Sequence, residues 1–344
     1  MQSEILVEVV RGETVESIHR GHVAVVDGDG KIVFSKGNPE TVTFFRSSSK
    51  AFQAFPVLRN GAAERFGFSD AEIALACGSH SGEPVHTETA AKMLAKIGLS
   101  ETDLRCGAQV PFNEEISEAM IRAGEKPNQL HNNCSGKHTA MLALGKHFGA
   151  DLESYESLEN PVQQAILETV SLFTDVPKTE IKIGIDGCAA PNFALPLLAM
   201  ALSFARLVFP PKSFDVETRE ACRRLVSAMI SHPQMIGGTD RLDTILMRSA
   251  RGKIISKIGA EGVYVAGVLP SERWKKGLGI AVKIEDGDDK RARAVLIIEL
   301  LRALGVIDET NDKNLREYSP IQIKNRRGDT VGQVTARLNS EIKL

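Results

Sequence analysis

The chain has 344 residues, 42% of them hydrophobic, with a formal net charge of −2, which is enough for a sizeable core and leaves no basic footprint for a nucleic-acid partner. Met1-Gln2-Ser3-Glu4-Ile5 has neither a basic region nor a long apolar stretch, and no run reaches the length of a membrane span, so no export signal and no membrane partner are expected. The five cysteines, Cys77, Cys106, Cys134, Cys188 and Cys222, are odd in number and widely spaced, which suits thiols or a metal in a reducing cytoplasm better than a disulfide framework.

In chain order, Ile5 to Val10 and His22 to Val26 alternate or run apolar. Asp27-Gly28-Asp29-Gly30 followed by Lys31-Ile32-Val33-Phe34 is a hairpin signal, so the chain opens with antiparallel strands. From about residue 51 to 247 the pattern is mostly helical, including Asn160 to Phe173 and Glu217 to Ile230, with glycine and proline loops between and Pro210-Pro211 as a rigid turn. Strands return at Gly262 to Leu269 and Gly279 to Ile284. Lys290 to Leu304 then reads as a helix with Ala294, Leu296, Ile297, Leu300 and Leu301 apolar. Strands at both ends with helices between imply one mixed sheet shared by the termini. The expected architecture is a single α/β (α+β) domain over residues 1–344 with a helical part at approximately 51–247, and without linker, repeat or low-complexity segment.

Three short stretches carry chemistry. Ser47-Ser48-Ser49-Lys50, Ser79-His80-Ser81 and Lys257-Ile258-Gly259 follow the order of the S-x-x-K, S-D-N and K-T-G elements of serine enzymes that use lysine as base, with Ser81 in place of asparagine and Ile258 in place of threonine. A serine hydroxyl is a poor nucleophile and needs a neighbouring base. Ser47 and Lys50 are spaced to share a helix face, and the helix N-terminus favours negative charge developing on Ser47. Lys50 must lose its proton, so its pKa has to fall from a reference of about 10.4 through burial or a second cation, for which Lys257 is the candidate. Simple helix caps at Ser79 and Ser81, and a solvated edge-strand lysine at 257, are the bland alternatives.

A second constellation is independent of the first. His131-Asn132-Asn133-Cys134-Ser135-Gly136-Lys137-His138 and Gly184-Ile185-Asp186-Gly187-Cys188 each hold one cysteine among polar groups. Gly136-Lys137 is no phosphate loop, since histidines stand where that motif requires glycine and Ser or Thr. Thiolate, imidazole and carboxylate could hold zinc, but neither C-x-x-C nor H-x-x-H spacing is present, so zinc and a pair of buried thiols both stay open.

Arg46-Ser47-x-x-Lys50, Cys77-x-Ser79-His80-Ser81, Asn133-Cys134-Ser135-Gly136-Lys137-His138, Asp186-Gly187-Cys188 and Lys257-x-Gly259-Ala260 resemble the signatures of the rhizobial-type, zinc-containing L-asparaginases (the asparaginase II family). The segments Val10 to His22 and Gly279 to Gly287 fit as well, so the resemblance spans nearly the whole chain. It implies a fold similar to serine β-lactamases and glutaminases, and hydrolysis of L-asparagine to L-aspartate and ammonia through two Ser-Lys tandems. Ser47 with Lys50 would contain the nucleophile, and Ser79 with Lys257 would support it. Cys134, Lys137 and Cys188 would hold zinc that shapes the substrate site, with Asp186 beside the metal. Arg46, His138 and Asp186 would bind the substrate. The resemblance also implies a homodimer, and the composition a cytoplasmic location.

On chemical grounds Arg46 suits the α-carboxylate of asparagine and Asp186 its α-ammonium. Asp240, Arg241 and Asp243 read as a Gly-Gly turn capping a helix, and Glu285 to Asp289 as an acidic loop capping the next. Glutamine is the nearest rival substrate, since one methylene changes binding by only about 1–3 kcal/mol. The rivals from other classes are a penicillin-recognising acyl hydrolase, which would carry an export signal, and a non-catalytic zinc-binding or amino-acid sensor.

Overall fold

The computed structural model describes residues 2–308 and 313–338. In chain order these form strands β1 (Glu4–Arg11), β2 (Thr14–Asp27), β3 (Ile32–Lys36) and β4 (Val42–Phe44), then helices α1 (Lys50–Arg59), α2 (Ala62–Arg65), α3 (Asp70–Ala76), α4 (Pro84–Lys96), α5 (Glu114–Ala123), α6 (Ser135–Phe148) and α7 (Pro161–Thr174). Strands β5 (Lys182–Ile185) and β6 (Pro191–Pro196) precede helices α8 (Leu197–Val208), α9 (Val216–Ser231), α10 (Pro233–Ile236) and α11 (Leu242–Ser249). The chain closes with β7 (Ile254–Ile258), β8 (Val263–Val268), β9 (Leu278–Ile284), α12 (Ala292–Ala303), α13 (Lys313–Arg316), β10 (Ile321–Lys324) and β11 (Thr330–Ala336). It is an α/β protein, as the alternation of strand and helix patterns implies. No helix among the described residues is long and apolar enough to cross a membrane.

The chain divides into two compact units, one drawn from residues 1–43, 195–209 and 245–344, the other from 44–194 and 210–244. The first unit holds the sheet shared by the two ends of the chain. Its order is β10-β11-β1-β2-β9-β8-β7 with β3 paired to β2, and the pairings described in it are antiparallel. The anticipated hairpin is the β2–β3 turn, where the Asp27 carboxylate accepts the amides of Asp29 and Lys31 and Gly30 takes the left-handed backbone (φ 83°). Strands β7, β8 and β9 are Val- and Ile-rich and buried nearly throughout, as a central sheet requires.

Helix α8 lies directly on this sheet, and two glycines make room for it. Gly267 of β8 and Gly279 of β9 are register partners. A Cβ at Gly279 would stand 1.8 Å from the Ala201 carbonyl oxygen and 2.6 Å from the Ala205 nitrogen, and one at Gly267 would meet Val208 at 2.5 Å. The small residues Ala201 and Ala205 complete the close approach. The acidic loop after β9 caps α12: Asp288 Oδ1 accepts the amides of Arg291 and Ala292, and Asp289 accepts that of Gly262.

The second unit is helical around an aromatic core. Phe173 packs against Phe52, Phe55 and Phe214 at ring separations of 5.1, 4.9 and 5.2 Å, and Phe45 joins through Phe52. Helix α1 is buried from Lys50 to Leu58, the signature of a helix packed on all sides, here by α6, α7 and α9. Helices α3 and α6 approach closely at Gly136, where a Cβ would be 2.6 Å from the Leu75 carbonyl oxygen. The stretch read as mostly helical also contains the antiparallel hairpin of β5 and β6, registered Ile183 to Phe193 and Gly184 to Asn192. Its residues had the look of loop punctuation because Gly184, Gly187 and Pro191 break both periodicities.

Gly279→Ala is expected to destabilise the protein by about 1–3 kcal/mol or more, because the atoms it meets belong to a helix backbone that cannot swing aside. Urea denaturation checks this, and an unchanged midpoint would show that α8 does not rest on the glycine pair.

Candidate active site

The segment leading into α1 is a 3-10 turn, Arg46–Ser49, laid against β6. Phe45 donates its amide to the Phe193 carbonyl at 2.8 Å and Arg46 donates its amide to Asn192 Oδ1 at 3.0 Å. Arg46 adopts φ 53°, a left-handed conformation that costs a non-glycine residue about 1–2 kcal/mol and turns the following serines inward. The three serines then separate by role. Ser48 donates to the Phe45 carbonyl at 2.5 Å and Ser49 to the Arg46 carbonyl at 2.9 Å, both closing the turn. The hydroxyl of Ser47, half-buried, makes no such bond among the described residues.

Lys50 opens α1 with its side chain completely enclosed. Its ammonium donates to the Gly78 carbonyl at 2.6 Å, to Ser79 Oγ at 2.9 Å and to the Asn133 carbonyl at 3.0 Å. Burial pushes its pKa down, with Lys137 adding to the push and the Cys134 and Cys188 sulfurs opposing it. The structure thus brings Lys50 to Ser79, while the link from Lys50 to Ser47 is the helical turn, through the Lys50 amide to the Ser47 carbonyl. Lys257 lies in the other unit. It sits on β7, buried rather than solvated, and its amine donates to the Ile258 carbonyl at 2.9 Å.

The hairpin tip between β5 and β6 carries the second constellation. Asp186 and Ala190 pair across the turn, Ala189 takes a left-handed φ of 68°, and Cys188 is turned inward to 5% exposure. There Lys137 Nζ donates to Cys188 Sγ at 3.0 Å, and Cys134, the residue before α6, lies beside Cys188 with its thiol donating to Asn133 Oδ1 at 3.1 Å. The neighbouring Cys134 and the Lys137 charge hold the Cys188 pKa below the usual thiol range. Cys188 and burial push Cys134 the other way. Burial acts to lower the Lys137 pKa, but the two sulfurs outweigh it and keep the amine protonated. His138 is held by Tyr155, at 2.7 Å from its hydroxyl to Nδ1. The His138 Nε2 is buried without a hydrogen-bond partner among the described residues. Tyr155 is itself fixed by the Arg105 amide at 2.9 Å.

Arg46 and Asp186, assigned from the sequence to opposite ends of a substrate, meet each other: Arg46 Nη2 and Nε lie 3.1 and 3.2 Å from Asp186 Oδ1, which also accepts the Gly187 amide. The turn of Ser47 and the turn of Cys188 are therefore tied together. Among the described residues no group of three His, Cys, Asp or Glu side chains is placed to hold a metal.

Sequence reasoning missed Asn192, Tyr155 and Glu83. Glu83 accepts bonds from Ser81, Gln234 and Thr239, and nothing in Gly-Glu-Pro distinguishes it from an ordinary loop acid. His80 and His86 stack with centroids 4.9 Å apart. His80 Nδ1 accepts the Gly82 amide and its Nε2 donates to Ser135 Oγ, which in turn donates to the Leu130 carbonyl. His86 Nδ1 accepts the Glu83 amide and Nε2 donates to the Gln234 carbonyl.

The family match defines a class, the amidohydrolases. The chain belongs to the L-asparaginase II family, whose family model matches residues 7–336. No curated protein sequence matches it. Similar solved structures include a probable glutaminase from Bacillus subtilis complexed with 6-diazo-5-oxo-L-norleucine, at 14% identity over 83% of this chain and 85% of that one, TM-score 0.37. A carbapenemase from Vibrio cholerae shares 14% identity over 82% and 94% of the two chains, TM-score 0.40, and a β-lactamase from Burkholderia ambifaria 15% over 83% and 92%, TM-score 0.40.

Burial lowers the pKa of both His80 and His86, and protonating either Nδ1 would break a backbone bond. A group whose folded pKa lies below its unfolded value binds fewer protons when folded, so stability is complete above the unfolded pKa and falls as pH drops below about 6.5. Each of the two contributes a slope of up to about 1.4 kcal/mol per pH unit there. Urea midpoints compared at about pH 7.5 and 5.5 should show the loss; equal midpoints would mean that the pair protonates without resistance.

Proposed function

We propose that this amidohydrolase converts L-asparagine to L-aspartate and ammonia through an acyl-enzyme on Ser47. The observation that carries the reading is the enclosed Lys50 amine, on the same short turn as Ser47 and 2.9 Å from Ser79 Oγ. A lysine in that setting is displaced toward the neutral form that can accept a proton. Ser47 Oγ attacks the side-chain amide carbon, and its proton passes to Lys50 with Ser79 as the bonded relay. The same proton is returned to the departing nitrogen, which leaves as ammonia. Water then adds to the ester, its proton taken up by the same groups, and aspartate is released with Ser47 restored.

Lys257, by the resemblance in sequence, is a second base of the reaction, and Arg46, His138 and Asp186 receive the amino-acid end of the substrate. For Arg46 and Asp186 this role requires their mutual ion pair to share its charges with the α-carboxylate and α-ammonium, and the pair is part-exposed, 28% and 18%, so water and ligand can reach it.

The donor set fits zinc. The Cys188 pKa is held below the usual thiol range, Cys134 lies beside it, and the Lys137 amine is 3.0 Å from Cys188 Sγ. Cys134, Lys137 and Cys188 would hold the ion, and it would supply positive charge to orient the carboxylate end of the substrate. His138, fixed at Nδ1 by the Tyr155 hydroxyl, stands beside these groups.

Ammonia release from L-asparagine and L-glutamine tests the reading. Asparagine turnover is expected, with Ser47→Ala losing at least about a thousandfold in kcat and Lys50→Met and Lys257→Met falling steeply as well. Glutamine turnover of equal efficiency would move the substrate assignment, and turnover indifferent to Ser47 would remove the nucleophile. Elemental analysis of the purified protein is expected to find zinc that Cys188→Ser no longer retains, and metal retained by that variant would place the ion elsewhere.

A further inference from the structure

The turn that carries Ser79 is held from one side by a single carboxylate. Glu83, 9% exposed, accepts four bonds with its two oxygens: Oε1 from Ser81 Oγ at 2.7 Å and the Thr239 amide at 2.7 Å, Oε2 from Gln234 Nε2 at 3.0 Å and Thr239 Oγ1 at 3.1 Å. Burial would raise its pKa, but these donors outweigh it and keep the carboxylate charged. Three of the four donors lie more than 150 positions along the chain, so Glu83 joins the 79–83 turn to the 234–239 segment. Backbone contacts complete the join. The Ser79 amide donates to the Ile236 carbonyl at 2.8 Å, and His86, whose Nδ1 accepts the Glu83 amide, donates to the Gln234 carbonyl. Gly238, at φ 109°, allows the fit, since a Cβ there would lie 1.9 Å from Ser81 Oγ and 2.6 Å from Glu83 Oε1.

We propose that Glu83 is a positioning residue for the reaction, locking the 79–83 turn onto the 234–239 segment so that Ser79 Oγ stays within hydrogen-bond reach of the Lys50 amine. This rests on the reading of Ser79 and Lys50 as parts of the amide-hydrolysing machinery. Ser79 is fixed through its own amide and through Ser81, two residues on, while Lys50 is fixed independently by the Gly78 and Asn133 carbonyls. Releasing Glu83 therefore moves one partner of the Ser79–Lys50 contact and leaves the other in place. A neutral amide at 83 still offers one oxygen to Ser81 and the Thr239 amide, and so preserves half of the lock.

The test is a cycle of Glu83→Ala, Ser79→Ala and the double variant, with Glu83→Gln beside them, read as ammonia release from L-asparagine per folded molecule. Glu83→Ala is expected to lower kcat by about ten- to a hundredfold, Glu83→Gln by less, and Glu83→Ala to add no further loss once Ser79 is alanine. Independent, multiplying losses in the double variant would overturn the proposal, since a general structural role acts with or without Ser79. Should Glu83→Ala not fold, the same cycle run with Glu83→Gln decides. A crystal structure of the Glu83 variant separates this proposal from the function on which it rests. If the wild type releases ammonia from neither amide, the functional reading falls, and Ser79 Oγ still at Lys50 Nζ in the variant would overturn the positioning claim on its own.

Discussion

The enclosed ammonium of Lys50 is the constraint around which the helical unit is organised. Removing such a charge from water costs several kcal/mol unless polar groups replace the lost hydration. Three acceptors do so, and each comes from a different place: Gly78 O from the end of α3, Ser79 Oγ from the turn after it, and Asn133 O from the approach to α6. The carbonyl end of α3 carries the partial negative charge of a helix C-terminus, which a cation prefers. Assembling these groups demands that α3 and α6 come close enough to present them together, and Gly136 against Leu75 makes that approach possible. The same enclosure that fixes the amine lowers its pKa, so the structural requirement and the chemical one have a single cause.

Charge balance in the neighbourhood follows from it. Two lysines, Lys50 and Lys137, would repel each other in a space that excludes water, and the sulfurs answer them. Cys134 and the Lys137 ammonium lower the Cys188 pKa, while Cys188 and burial raise that of Cys134. A divalent ion placed among Cys134, Lys137 and Cys188 would take over the role now played by the lysine proton and the thiol proton.

The strands at either end, the Asp27 to Gly30 hairpin and the capping role of the 285–289 loop were legible because each depends on local chemistry: alternation, turn residues and acid at a helix start. Ser47, Lys50, Ser79, Cys134, Lys137, Asp186 and Cys188 were legible as types. Their pairings were not, since the Lys50 amine can reach Ser79 only after α1 is buried against α3. The positive φ of Arg46 has no signature in a non-glycine residue, and the bonds that hold it come from Asn192 and Asp186, about 140 positions away. Glu83 fails the same way. Its partners Gln234 and Thr239 are found by the fold, and no spacing rule reaches them.

Arg46 shows why the two constellations, independent in sequence, are one object in the structure. A left-handed arginine persists only where its surroundings over-determine it. Here its amide is held by Asn192 on β6, and its guanidinium by Asp186 at the tip of the same hairpin. That hairpin also carries Cys188, two residues beyond Asp186 in a turn that needs a second strained residue, Ala189 at φ 68°. The conformation that aims Ser47 is therefore maintained by the element that places Cys188, and neither can be rearranged without loosening the other. Strain on both sides of one ion pair is stable only if the hairpin is rigid. Its register against Phe193 and Asn192, and the Phe44 ring filling the space above Gly184, supply that rigidity.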